Sequence, residues 1–327
     1  MSSQLGSEAS FEAGLLGFLY RQWMLHRKPV PAGTDLSSQV AIITGSNSGL
    51  GLEAGRQLLQ LGLSHLILAV RSQSRGEKAA DGLRQEYPGA NVSVWLLDMS
   101  SYDSIAAFVE KCKSLSKINI VILNAGLRGG TVFKTAESTG HEYSFQVNYI
   151  STALLAILLL PILKSKRVAG SKQPVLSIVT SDSAYWTSIE TQGPILTQLD
   201  NAENYSAMPW YQKSKLLQYF FVSKLAEEID SADVIVNLAN PGLCNGTAFE
   251  DRDDLPPIML LLMSMWMLQW SEARKAMGAM SVIGQFSRTY TPSTEIGAQL
   301  RERLWEETME ELNFAGASDI IQRLKKK

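Results

Sequence analysis

Between residues 40 and 238 the chain alternates short, unbroken apolar runs with stretches of helical spacing, and this alternation limits the fold more than any other feature. The apolar runs lie at 40–43, 66–70, 92–97, 118–123, 175–179 and 234–238. Stretches with helical spacing or composition separate them, at 50–61, 75–87, 102–115, 143–163 and 210–229. A strand with one wet face alternates apolar and polar residues, whereas a continuous run suits a strand covered on both faces. Strand and helix in turn predict a doubly wound parallel α/β sheet of the Rossmann type. Ligands of such a sheet sit beyond the carboxyl ends of its strands. No repeat or low-complexity linker interrupts residues 39–248, so one domain is expected over 39–327, preceded by a helical extension at 1–38 and ending in helices from about residue 255.

Composition narrows the function classes. A hydrophobic fraction of 45% and a charged fraction of 19% in 327 residues describe an ordinary globular protein with a sizeable core. A net charge of -2 gives no electrostatic case for binding nucleic acid. Cys112 and Cys244 make no disulfide framework, which suits a reducing, cytoplasmic compartment. His26, His65 and His141 are scattered and no ligand spacing for a metal is present. Two apolar segments need a separate reading. Residues 11–25 carry Glu12 and Arg21 and are too short to span a bilayer, so a helix packed on its own domain is expected over peripheral membrane attachment. Residues 255–270, "LPPIMLLLMSMWMLQW", read as a pocket wall, a buried or dimer helix, or a helix resting on a membrane surface.

The chemistry begins where the first strand ends, in Thr44-Gly45-Ser46-Asn47-Ser48-Gly49-Leu50-Gly51. A glycine-rich turn between a first strand and a first helix lets backbone N–H groups approach a pyrophosphate, whose charge the helix N-terminus favours. After the second strand comes Arg71. An acidic residue here would bond the adenosine ribose of NAD, whereas arginine suits the 2′-phosphate of NADP. Asp98 closes the third run, where it either accepts from an adenine amino group or caps the following helix; Ser100 and Ser101 are better placed as caps. Asn124-Ala125-Gly126 ends the fourth run with residues small enough to admit a cofactor.

Tyr211 and Lys215 are four residues apart, one helical turn, and share a face. A phenol ordinarily loses its proton at a pKa of about 10, too high for efficient transfer at neutral pH. A lysine ammonium beside it and the positive charge of an oxidised nicotinamide would favour the phenolate. Tyr211 is then a candidate acid/base at a carbonyl or alcohol oxygen, with Lys215 free to bond the nicotinamide ribose.

These pieces together resemble the short-chain dehydrogenase/reductase family. The matching stretches are "TGSNSGLG" (44–51), "LDMS" (97–100), "LNAG" (123–126), "FQVNYIS" (145–151), "IVTSDSAYW" (178–186), "YQKSK" (211–215) and "NPGLC" (240–244). The first, with "AVR" after the second strand, is similar to the retinol-dehydrogenase-like branch, which usually prefers NADP. "SDSAYW", "YQKSKLLQYFFVSKLAEEI", "VIVNLANPGLC" and "LRERLWEETMEEL" resemble fungal members of secondary-metabolite pathways. The resemblance implies NADP(H)-dependent interconversion of a carbonyl and an alcohol on a small lipophilic, polyketide- or terpenoid-like substrate. It makes Tyr211 the acid/base, Lys215 its partner, Asn148 the asparagine that holds a water in the proton relay, and Ser181 the hydroxyl on the substrate oxygen, with Ser183 as the alternative. Pro241 and Gly242 would border the nicotinamide, and Thr247 stands one place beyond the family's usual hydroxyl, a position filled here by Gly246. Non-redox epimerisation, dehydration or cyclisation on the same fold is the alternative activity. Members of the family are often homodimers or homotetramers. Tyr185, Trp186 and Trp210 are expected either in the pocket or in the core.

Overall fold

The computed structural model describes residues 30–168, 170–242 and 295–325, together with Gly14, Leu16, Gly17 and Tyr20. Thr247, Cys244, the segment 255–270 and most of 11–25 lie outside the described residues, and so do the expectations placed on them. Six strands form one sheet: β1 (Val40–Thr44), β2 (His65–Val70), β3 (Asn91–Leu96), β4 (Ile120–Leu123), β5 (Val175–Val179) and β6 (Ile235–Ala239). Their order is β3-β2-β1-β4-β5-β6 and every pairing is parallel. In register, Ile42 of β1 faces Ile67 of β2 on one side and Val121 of β4 on the other. The chain therefore reverses direction across the sheet between β1 and β4, and a crevice opens at the carboxyl ends of those two strands.

Burial explains why these runs are continuous. All five residues of β1 and all four of β4 are buried. Each fully buried leucine or isoleucine contributes about 1.5–3 kcal/mol from area removed from water. β3 and β6 are the edges and are covered less well: Leu96 is 56% exposed and Ile235 is also exposed. Their runs read as doubly buried in sequence, but an edge strand has only one neighbour to cover it.

The helices are α1 (Gly49–Gln60), α2 (Gln73–Glu86), α3 (Tyr102–Lys113), α4 (Tyr143–Ser165), α5 (Ala207–Glu228), α6 (Glu295–Glu311) and α7 (Ala317–Leu324). Ser72 and Ser101 start α2 and α3, each accepting from a backbone N–H three residues on. Of the two serines expected to cap α3, Ser101 does so and Ser100 does not. α4 is apolar enough to cross a membrane, with a mean hydropathy of 1.8 over its most apolar window, yet 89% of that window is buried in the domain. It is a core helix, and over Gln146–Ile150 it widens into a π turn.

The C-terminal helices are part of the same core. Leu304, Leu312, Ile321 and Leu324 are buried in the cluster that holds α3, α4 and α5. Glu307 accepts backbone N–H bonds from Ile195 at 2.7 Å and Leu196 at 2.9 Å, capping the short turn Leu196–Gln198.

Candidate active site

Thr44, the last residue of β1, is buried, and its hydroxyl accepts N–H bonds from Asn124 at 3.0 Å and Ala125 at 2.9 Å. Asn124 Nδ2 answers by donating to the carbonyls of Thr44 at 3.0 Å and Gly45 at 3.3 Å. The two strand ends beside the switch point are thus locked together. Gly45 adopts φ 65°, and a Cβ there would stand 2.9 Å from Ala125 Cα. A Cβ on Gly51 would stand 2.6 Å from Asn124 Nδ2. Both glycines are required by this lock as well as by any ligand that approaches the turn. Ser46 is turned inward and donates to Ile43 O at 2.7 Å, so its hydroxyl serves the turn. Asn47 and Ser48 face the cavity, and Gly49, Leu50 and Gly51 open α1.

That cavity, of about 250 Å³, runs from Arg71 and Arg75 past Asp98 to Asn124, Ala125 and Gly126. Arg71 donates to the Tyr143 hydroxyl at 2.5 Å, which holds the guanidinium at the cavity wall. Asp98 is fixed locally: its Oδ1 accepts from Ser100 N at 2.9 Å and Ser100 Oγ at 2.7 Å, and its own N–H donates to Ser104 Oγ at 2.9 Å. It lines the cavity while bonded to the serine beside it.

Gly126 lines the cavity as well. A Cβ there would lie 3.2 Å from Asn148 Oδ1 and 3.4 Å from Lys215 Nζ. α5 carries Tyr211 and Lys215, 8% and 4% exposed. Lys215 Nζ lies 5.8 Å from the centroid of the Tyr211 ring and donates to Val179 O at 2.9 Å. Burial pushes the lysine down to about 7.

Asn148 sits in the π turn of α4, a distortion frequent at functional positions. Its side chain accepts from Leu127 N at 2.8 Å, and its Nδ2 donates to Leu127 O at 2.8 Å and Ser214 Oγ at 3.0 Å. Its main-chain oxygen accepts from Gln218 Nε2 at 2.5 Å.

Ser181 follows β5 and starts the short turn Asp182–Trp186. It accepts both the N–H of Ser183, at 3.2 Å, and the Ser183 hydroxyl, at 2.9 Å. With its oxygen engaged as acceptor, Ser181 keeps its own O–H to donate, while Ser183 has spent its own. Next to it, Asn240 Nδ2 donates to the Asp182 carboxylate and Asn240 Oδ1 accepts from Gly242 N at 3.1 Å. The serine end of β5 and the Pro241-Gly242 corner after β6 are joined in this way.

Trp210 is a core residue: it is buried and its Nε1 donates to Leu199 O at 2.8 Å. Tyr185 packs against Tyr219 at 5.8 Å, and Trp186 is exposed. Tyr143, Ser214 and Gln218 were not singled out in the sequence, and Thr44 appeared there only as the residue before the glycines. Only Thr44 left a local signal, a hydroxyl at the end of an apolar strand just before the glycines. Among the described residues no cluster of His, Cys, Asp or Glu has the makings of a metal site, and Cys112 is a buried free thiol.

The short chain dehydrogenase family matches residues 39–185. The short chain dehydrogenase virL of Hypocrea virens is 52% identical, with 100% of each chain covered. The short chain dehydrogenase opdN of Penicillium oxalicum is 47% identical over 78% of this chain and 84% of its own. Among solved structures, the NADPH-dependent 3-quinuclidinone reductase of Rhodotorula rubra shares the fold, with a TM-score of 0.56 at 20% identity over 84% of this chain and 95% of that one. On 52% identity along its whole length to one fungal relative and the family match across its first five strands, the chain belongs to the short-chain dehydrogenase/reductase family of oxidoreductases.

Proposed function

We propose that the protein is an NADP(H)-dependent oxidoreductase interconverting a ketone or aldehyde and an alcohol on a small lipophilic natural product. One observation carries this reading: Gly126, which lines the cavity that begins at Arg71, also borders Asn148 and Lys215. A nucleotide laid along that cavity would end beside the acid/base pair. The residues fit such a group. The Gly45 turn leaves no room for a side chain, and Arg71 and Arg75 supply positive charge at the outer end. The name of the fold neighbour from Rhodotorula rubra includes the same reduced cofactor.

When bound, the cofactor supplies or accepts the hydride; the remaining work belongs to the chain. Tyr211 delivers a proton to the substrate oxygen, or takes it in the reverse direction. Ser181, with its O–H free to donate, orients the same oxygen and stabilises negative charge on it. Lys215 holds the proton next in line, and its burial keeps bulk water from short-circuiting the transfer.

The test is to mix purified protein with NADPH and a panel of lipophilic ketones and follow absorbance at the reduced-nicotinamide band. Tyr211→Phe is expected to lower turnover by about 10²–10⁴-fold while nucleotide fluorescence still reports binding. Unchanged turnover would remove Tyr211 from the mechanism. Product formed without nucleotide consumption would replace this reading with a non-redox one.

A further inference from the structure

Tyr143, the first residue of α4, lines the same cavity as Arg71 and Arg75, and Arg71 Nη1 donates to its hydroxyl at 2.5 Å. Lys134 Nζ stands over the Tyr143 ring, 5.2 Å from its centroid. Two cations therefore converge on one uncharged phenol, with Arg75 in the wall of the same cavity. Among the described residues none of the three has a carboxylate partner. The acids of the neighbourhood are engaged locally, Asp98 with Ser100 and Glu142 with Ser144 and Phe145. Like charges gathered without an acid repel one another, and a cleft lined by one sign of charge draws the opposite sign from solution.

The loop that carries Lys134 and Tyr143 is braced. Tyr143 N donates to Lys134 O at 2.8 Å, an antiparallel bridge joins Thr135 to Glu142, and Ser138 Oγ donates to Ser100 O at 2.7 Å. A chain of side-chain bonds then ties it to the cavity wall: Thr139 to Gln146 at 2.6 Å, Gln146 to Ser151 at 2.7 Å, and Ser151 to Met99 O at 2.5 Å. An exposed arginine ordinarily samples many rotamers. A phenol on a braced loop removes that freedom before any ligand arrives.

We propose that Tyr143 is a specificity-determining residue for the nucleotide: its hydroxyl holds the Arg71 guanidinium in place to receive a 2′-phosphate, and Lys134 adds a second cation to the clamp. This deepens the NADP(H) reading above and rests on it. Arg71 has five N–H groups and the phenol takes one, so a planar fork is still available to a phosphate. NADH carries a hydroxyl at that place and draws far less from the cations. Part of the preference for NADPH is then preorganisation, because Arg71 is ordered when the loop folds and not when the nucleotide binds. The phenol acts through the guanidinium, so its effect requires Arg71.

Binding alone tests this, without turnover. Dissociation constants for NADPH and NADH are measured by nucleotide fluorescence on the parent, Tyr143→Phe, Arg71→Met and the double variant. Tyr143→Phe keeps the ring beneath Lys134 and should weaken NADPH about tenfold while changing NADH less than about twofold. In the Arg71→Met background the same substitution should cost NADPH nothing further. Equal losses for the two nucleotides would make the ring a contact of their shared adenosine. Additive losses in the double variant would show that the phenol acts without Arg71. Either result overturns the proposal, as does an unchanged preference in Tyr143→Phe. Should Tyr143→Phe fail to fold, Lys134→Met, at an exposed position, decides: NADPH alone should weaken, and the loss should shrink as salt rises. No loss in that variant sinks the clamp. A parent that binds NADPH no better than NADH defeats the NADP(H) reading itself; a parent that prefers NADPH, with Tyr143→Phe preferring it equally, defeats only this one.

Discussion

Arg71 shows how much one side chain determines. It stands at the carboxyl end of β2 and is held at the cavity wall by the Tyr143 hydroxyl at 2.5 Å. The phenol oxygen accepts from the guanidinium. A charge-assisted hydrogen bond is worth about 1.5–3 kcal/mol, so losing the fork costs about 10–150-fold in affinity. Arg71→Asp is expected to raise KM for NADPH by about that factor and leave NADH nearly unchanged. Equal losses for both nucleotides, measured in parallel titrations, would place the 2′-phosphate elsewhere. The arginine was legible in sequence because its position after a strand is local information. Tyr143 was not: it lies 72 residues away, and only the packing of α4 beneath the crevice brings the two together.

Among the elements, α6 is tied to the start of α4 by a half-buried ionic junction. His141, just before α4, bonds Asp200 through Nδ1 at 2.7 Å and Glu311 at the end of α6 through Nε2 at 3.1 Å. Tyr102, the first residue of α3, donates to the same glutamate at 3.1 Å. Burial by itself disfavours the imidazolium. The hydrogen bonds and charges of Asp200 and Glu311 together outweigh it and raise His141 to about 9. A proton bound more tightly in the folded state stabilises it fully below the histidine's ordinary pKa of about 6.5, and the gain is lost as pH rises through about 9. His141→Gln should destabilise the protein at pH 6 by on the order of 1–2 kcal/mol, after allowance for solvent that still reaches the ring. Denaturant melts should find the difference gone above pH 9. A constant difference across that range would show that the junction acts through shape and not charge. None of the four residues is near the others in sequence, so no periodicity could have announced them.

For the molecule as a whole, Lys215 and His141 make opposed contributions to stability against pH. Lys215 has its affinity for a proton lowered by burial to about 7. The unfolded chain then binds the extra proton between there and lysine's ordinary value of about 10.4, so stability rises with pH across that interval. His141 works the other way between about 6.5 and 9. From pH 7 to 9 the two offset one another. Lys215→Met is expected to abolish turnover yet raise stability by on the order of 3 kcal/mol at pH 6, about 1.4 per pKa unit less the lost bond to Val179. Its stability should then fall from pH 7 to 9, exposing the histidine contribution. A Lys215→Met protein no more stable than the parent at pH 6 would mean that the ammonium is solvated by polar partners.

Local pattern determined much here. Continuous apolar runs set the parallel sheet, glycines after the first of them set the turn, and the Tyr211–Lys215 spacing set one helix face, because each is a property of neighbours along the chain. Two serines separated by one residue could not be told apart that way. The turn after β5, in which Ser183 donates to Ser181, gives the two hydroxyls different hydrogen bonds. The exposed edges β3 and β6, the π turn under Asn148, the Gln218 bond to it and the His141 junction were decided only when distant segments packed. Their physics is that of contacts made across the sheet and between helices, where partners are chosen by the tertiary fold and not by position in the sequence.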